Sequence, residues 1–303
     1  MSSQSIGDQL RDSRPNLSDS SVRTYSSLLR SLYRKLDGDD IPNIDYREFF
    51  TTGKTPSKVL ALLAPIEPSK RKTVLSALTV LCHSGSACDK YRAQMLEDSE
   101  KAREALGSEE KNDRQKAEWM DWDQIVSIHN QLAKETAPLF SKTDPSMADF
   151  SRIQDYVLLS LYVLQPPRRS EDYTLMRLRG GAKKKDDAQN YIDGKRFRFN
   201  KWKTSAISDG PQYVDISPKM SALLNKWKKV NNYEWLLVNP RNGTSMSTSD
   251  LTKRLNRITG KKISSNMLRH IYLSHTYDRE KMEKLAQDMG HSVNEAVNVY
   301  AKK

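Results

Sequence analysis

Residues Ser264 to Tyr300 read SSNMLRHIYLSHTYDREKMEKLAQDMGHSVNEAVNVY, and the punctuation of this stretch divides it into three helices around a tight corner. Ser264 and Ser265 are capping candidates, and Leu268, Ile271, Tyr272 and His275 recur behind them at helical spacing. Asn266 and Arg269, three apart, therefore project from one face. A second helix, Glu280 to Met289, stops at Gly290, a residue suited to the left-handed position after a helix end. Ser292 with Glu295 three residues later forms a capping box that opens a last helix, with Tyr300 near its end. His291 sits in the corner. Tyr300 follows His291 by nine residues, and at about 100° per residue one continuous helix would turn them to opposite faces. The corner is what lets them converge.

These residues resemble the closing pattern of the tyrosine recombinases, or phage integrases: H-x-x-R-H, then L-G-H-S, then a tyrosine nine residues after the second histidine. The matching text is Asn266-Met267-Leu268-Arg269-His270, then Met289-Gly290-His291-Ser292, then Tyr300, with Asn266 where the family has its first histidine. Upstream, Pro166 and Pro167 end a long apolar helix, and Arg168-Arg169-Ser170-Glu171 follows. There the family carries its first arginine in an R-x-x-E pattern, which selects Arg168. Read without the family, the same text is an Arg168 to Glu171 surface pair, worth little.

Composition bounds the rest. The chain has 303 residues, 29% of them charged, a formal charge of +12 and a mean hydropathy of −0.75, enough length for two cored domains and a balance that favours a polyanionic partner. No apolar run approaches the ~20 residues of a membrane span, and the opening MSSQSIGD has no signal core, so an intracellular protein is expected. Cys82 and Cys88 are too few for a structural zinc site, and Cys82 reads as a buried helix residue.

Taken in order, residues 1–16 are polar and read as a flexible tail. Residues 17–106 read as a small helical domain. Its helices run from Leu17, with Val22, Leu29, Leu32 and Tyr33 on one stripe, from near Pro56, after Ser69, and from Asp89 to Leu106. This region resembles the core-binding domain of the same recombinases. Lys70, Arg71 and Lys72 are candidate DNA contacts, equally readable as a solvated helix start. Residues 107–117 read as a linker and 118–303 as the catalytic domain.

Within that domain His129 reads as a helix-surface residue. Met147 to Leu164 is a buried helix, and QNYIDGKRFRFNKWKTS is a hairpin around Asp193-Gly194, with Tyr213 to Ile216 as a third strand. The expected fold is mainly α with a small antiparallel three-stranded sheet, arranged as a two-domain clamp. The resemblance implies a catalytic lysine on such a sheet. Lys203-Thr204 matches the family's Lys-Thr text, and Lys201 competes, as a second lysine or as a DNA contact.

The chemistry implied by the resemblance is phosphodiester transfer through a covalent 3′-phosphotyrosine, without metal, ATP or other cofactor. Tyr300 attacks, Arg168 and Arg269 grip the phosphate with planar forks, and Lys203 protonates the leaving 5′ oxygen. His291 donates a hydrogen bond, and Asn266 can still donate one though it cannot hold a proton as imidazole does. The partner implied is double-stranded DNA, with a homotetramer assembled on it and a monomer when free. Only Ala301 to Lys303 follow Tyr300, shorter than the swapped segment common in the family. Two alternatives stay open: relaxation of the type IB topoisomerase kind, which uses the same residue set, and a non-catalytic DNA-binding descendant, motivated by Asn266.

Overall fold

The computed structural model describes residues 4–37, 44–107, 111, 113–180, 188–205, 208–276 and 288–290. Contacts divide the chain into two compact units, Met1–Ser108 and Glu109–Lys303. Both are mainly helical, and among the described residues no helix is long and apolar enough to cross a membrane.

The first unit contains α1 (Ile6–Ser13), α2 (Asp19–Asp37), α3 (Tyr46–Thr51), α4 (Thr55–Leu63), α5 (Pro68–Cys82) and α6 (Ser86–Gly107). The expectation of a flexible tail is corrected here. Ser5 caps α1 by accepting from the Asp8 amide at 3.2 Å, and Ile6 and Leu10 are buried in the same core as Leu29, Tyr33, Phe50 and Leu78. Two apolar residues four apart, in an otherwise polar octapeptide, suffice because the neighbouring helices supply the other wall of the core. Cys82 and Cys88 are both buried free thiols, each with Sγ 3.8 Å from the Thr79 carbonyl.

The second unit contains α7 (Asp113–Glu118), α8 (Trp122–Thr136), α9 (Met147–Val163), α10 (Ser170–Thr174), β1 (Met176–Arg177), β2 (Asn190–Asp193), β3 (Arg196–Phe199), β4 (Gln212–Asp215), α11 (Pro218–Val230), α12 (Thr248–Thr259) and α13 (Ser265–His275). Part of the expected linker is helical, since α7 buries Gln115. At the centre is α9, whose Ile153, Val157, Leu158, Leu159 and Leu161 are fully buried, each contributing about 1.5–3 kcal/mol of apolar burial. Two of its buried polar residues are tied to neighbouring segments. Gln154 exchanges hydrogen bonds with the Val238 main chain at 3.0 and 2.7 Å, and Asp155 accepts from Arg254 and Arg257 of α12 at 2.6 and 2.8 Å. His129 is also buried, its Nε2 2.9 Å from Ser160 Oγ and its ring against Tyr156, which corrects its reading as a surface residue. Burial holds its imidazole below the ordinary range, so it sits neutral in the core.

The sheet differs from the expectation in strand number and sense. It has four strands in the order β1-β2-β3-β4, with β1 parallel to β2 and the remaining pairs antiparallel. The two residues of β1 are too few for any alternation to show in the sequence. The hairpin is where it was expected: Gly194 takes φ +61° at the turn, and Tyr191, Arg198 and Tyr213 stand in register across three strands. Phe197, Phe199 and Val214 point into the core.

Candidate functional site

Pro166 and Pro167 stop α9, and the chain turns directly into α10, so Arg168 is fixed at the junction. Its side chain is only 1% exposed. Three elements hold the guanidinium. Nε donates to Asp172 Oδ2 at 2.8 Å, and Nη1 donates both to Gln212 Oε1 of β4 at 3.0 Å and to the Asp288 carbonyl at 2.6 Å. The Phe199 ring of β3 lies beneath, 3.7 Å from Cζ. Nη2, also buried, has no hydrogen-bond partner among the described residues. Read without the family, the sequence offered Glu171 as a surface partner for Arg168; the partner in the structure is Asp172. Glu171 is exposed, whereas Asp172, one residue later, is buried on the same helical face as Arg168.

The second arginine comes from α13. Ser264 caps this helix by accepting from the Met267 amide at 3.2 Å, and Arg269 is 1% exposed one turn in. Arg269 Nη1 donates to Asn266 Oδ1 at 3.3 Å, so the two residues share a face as their spacing requires, with Asn266 itself exposed. The Asn266 amide nitrogen lies 3.4 Å from His270 Nε2. A hydrogen bond of 2.7 Å between Ser170 Oγ and Ser265 Oγ joins the first turns of α10 and α13.

Electrostatics say the same as the geometry. Burial raises the Asp172 carboxyl above the ordinary range, opposed by the positive charges of Arg168, Arg169 and Arg269. One carboxylate thus lies within the field of three guanidiniums. Tyr162, fully buried nearby, is pushed well above the usual phenol range by burial.

The chain leading to the sequence's corner histidine arrives at this cluster. Gly290 adopts φ +74°, the left-handed conformation expected of it, and a Cβ there would lie 3.0 Å from Arg168 Nη2. Its carbonyl accepts from Arg169 Nη1 at 3.4 Å. His291 and Tyr300 lie outside the described residues. Lys201 and Lys203 are both exposed, in the segment that follows β3. The main chain of Lys201 is bound on both sides by Asn190, whereas Lys203 sits in a turn two residues on.

In the first unit the three basic candidates separate. Arg71 donates from Nε and Nη2 to both oxygens of Asp98 at 2.7 and 2.6 Å and from Nη1 to the Ala64 carbonyl at 2.7 Å, so the fold engages it as a strut. Lys70 is exposed, 3.9 Å from Glu67, and Lys72 is half-buried.

Sequence reasoning missed Asp172, Gln212 and Asn190. The first had a signal, an acid four residues after the arginine on a helix start. The other two act through contacts 44 and 18 residues away along the chain. The chain matches no protein-family model, no curated protein and no solved structure.

Proposed function

We propose that this protein cuts and rejoins double-stranded DNA through a covalent 3′-phosphotyrosine, as a tyrosine recombinase with a helical DNA-binding unit and an α+β catalytic unit. The observation that carries this reading is the buried guanidinium of Arg168. Its framework contacts use three donors and leave Nη2 open, in a cluster with more cations than carboxylates. A buried donor left without a hydrogen-bond partner costs about 1–3 kcal/mol. A phosphate oxygen seated at Nη2 offsets that cost, and it gains most from a fork already held rigid. The +12 net charge suits a polyanionic partner.

In this reading Tyr300 Oη forms a bond to phosphorus while the bond from phosphorus to the 5′ oxygen breaks. The phenolic proton passes to solvent, and the leaving oxygen takes a proton from the Lys203 ammonium. Arg168 and Arg269 balance the charge growing on the non-bridging oxygens, and His291 donates to one of them. Because the phosphotyrosine conserves the energy of the broken bond, resealing needs neither metal nor ATP. Work on two duplexes calls for a homotetramer on DNA, inside a cell, with a monomer when free.

The test is a suicide duplex chosen by selection from a random pool. Denaturing electrophoresis should show a covalent adduct that disappears in Tyr300→Phe. Tight binding to the selected duplexes with no adduct would end the enzymatic reading. It would favour a non-catalytic DNA-binding protein, for which the exposed Asn266 in place of an imidazole is the motivating observation. Relaxation of any supercoiled plasmid would favour the topoisomerase.

A further inference from the structure

Asn190, the first residue of β2, is fully buried and its side chain is used to capacity. Nδ2 donates to the Asp172 carbonyl at 3.0 Å and to the Lys201 carbonyl at 2.9 Å, and Oδ1 accepts from the amides of Asn200 and Lys201 at 2.9 and 2.8 Å. Two donors and two acceptor sites are all that a carboxamide offers. These four bonds connect two parts of the cluster. Asp172 is the carboxylate that orients Arg168, and Asn200-Lys201 is where the chain leaves β3 and starts toward Lys203. The same end of β3 is anchored a second time, by Phe199 under the Arg168 guanidinium.

We infer that Asn190 is a positioning residue for the lysine that protonates the leaving oxygen, setting the lysine segment against the arginine that holds the phosphate. This rests on the strand-transfer reading above. An exposed lysine in a turn has many rotamers, and fixing it costs up to about 2 kcal/mol of side-chain entropy. The main chain that carries it must therefore be held rigidly if it is to meet the leaving oxygen. A purely architectural asparagine, filling in for missing ladder bonds at the end of β3, would look identical in the static structure and must be separated by chemistry.

The separation uses the leaving group. With sulfur in place of the bridging 5′ oxygen, the bond from phosphorus to sulfur breaks and a thiolate departs. Thiols ionise near ~8.5, so no proton is required. A defect confined to proton donation then vanishes, while a defect in phosphate binding or folding stays. Asn190→Ala should slow adduct formation by about 10²-fold on the oxygen duplex and by less than about 5-fold on the sulfur duplex, the signature of lost general-acid catalysis. Either Lys203→Ala or Lys201→Ala should show the same pattern, and Arg168→Ala should fail on both substrates. Asn190→Ser, which keeps an acceptor near the Lys201 amide but loses both Nδ2 donors, should give the same substrate dependence with a smaller loss.

Equal losses on the two duplexes in both Asn190 variants, or no loss at all, would overturn the inference while leaving strand transfer intact. A wild-type protein that binds both duplexes and forms no adduct on either would overturn the strand-transfer reading and this inference with it.

Discussion

Replacing Arg71 by Met asks whether this cation at the start of α5, its side chain 12% exposed, serves DNA or the fold. The substitution keeps the stem and removes three hydrogen bonds, one to the Ala64 carbonyl and two to the Asp98 carboxylate, whose side chain is 0% exposed. At about 1.5–3 kcal/mol for each bond to Asp98, the gross loss is roughly 3–6 kcal/mol. Stranding one member of a buried pair costs about 3–5 kcal/mol, and the two routes agree. At a urea slope of roughly 2 kcal/mol/M the midpoint should fall by about 1.5–2.5 M.

The pH dependence has a definite sign. The hydrogen bond from Arg71 is the largest influence holding the Asp98 carboxyl below its ordinary range. The pair therefore adds stability above the unfolded value near ~3.9 and loses it as pH falls through the depressed folded value, so the penalty of Arg71→Met is largest at neutral pH and shrinks in acid. All five tryptophans lie at or beyond Trp119, outside the first unit. The far-UV helical signal should therefore lose stability while the tryptophan transition stays in place. Lys70→Met, at an exposed site, should shift stability by less than about 0.5 kcal/mol and lower the salt slope of duplex binding by about one charge. A normal urea midpoint combined with weakened DNA binding in Arg71→Met would refute the strut and restore Arg71 as a phosphate contact.

Arg168→Lys should reduce adduct formation by about 10²–10³-fold with duplex affinity nearly unchanged, since one ammonium cannot serve Asp172, Gln212 and the Asp288 carbonyl and still present a fork. Single-turnover kinetics at saturating protein would check it, and a drop in affinity alone would contradict it. Gly290→Ala should cost about 1–2 kcal/mol for the left-handed backbone and, by pressing a methyl to 3.0 Å from Arg168 Nη2, slow cleavage more than its effect on melting accounts for. Wild-type cleavage by this variant would show that the guanidinium tolerates the displacement.

What the sequence revealed of this site was set by local rules, and what it hid was set by distant ones. Arg168, Asn266, Arg269 and Gly290 sit at helix starts and at a left-handed corner, positions that proline, serine and glycine mark within a few residues. The structure brings the two arginine-bearing helix starts together through Ser170 and Ser265. The same local reading could not separate Lys70, Arg71 and Lys72, because only the fold shows that the middle one meets Asp98, 27 positions away. It failed at His129 because the partner that makes burial tolerable, Ser160, lies on another helix.

Strand β1 and helix α1 escaped for a related reason. Each is short enough that packing against neighbours, and not its own periodicity, decides its state. A motif can therefore point to a guanidinium but not to its freedom to bind. That freedom depends on how many donors the framework has already taken, a count completed here by Asp172, Gln212 and a main-chain carbonyl 120 residues downstream. Of the five N–H groups on Arg168 three are committed, and the two on Nη2 are those a phosphate would have to find.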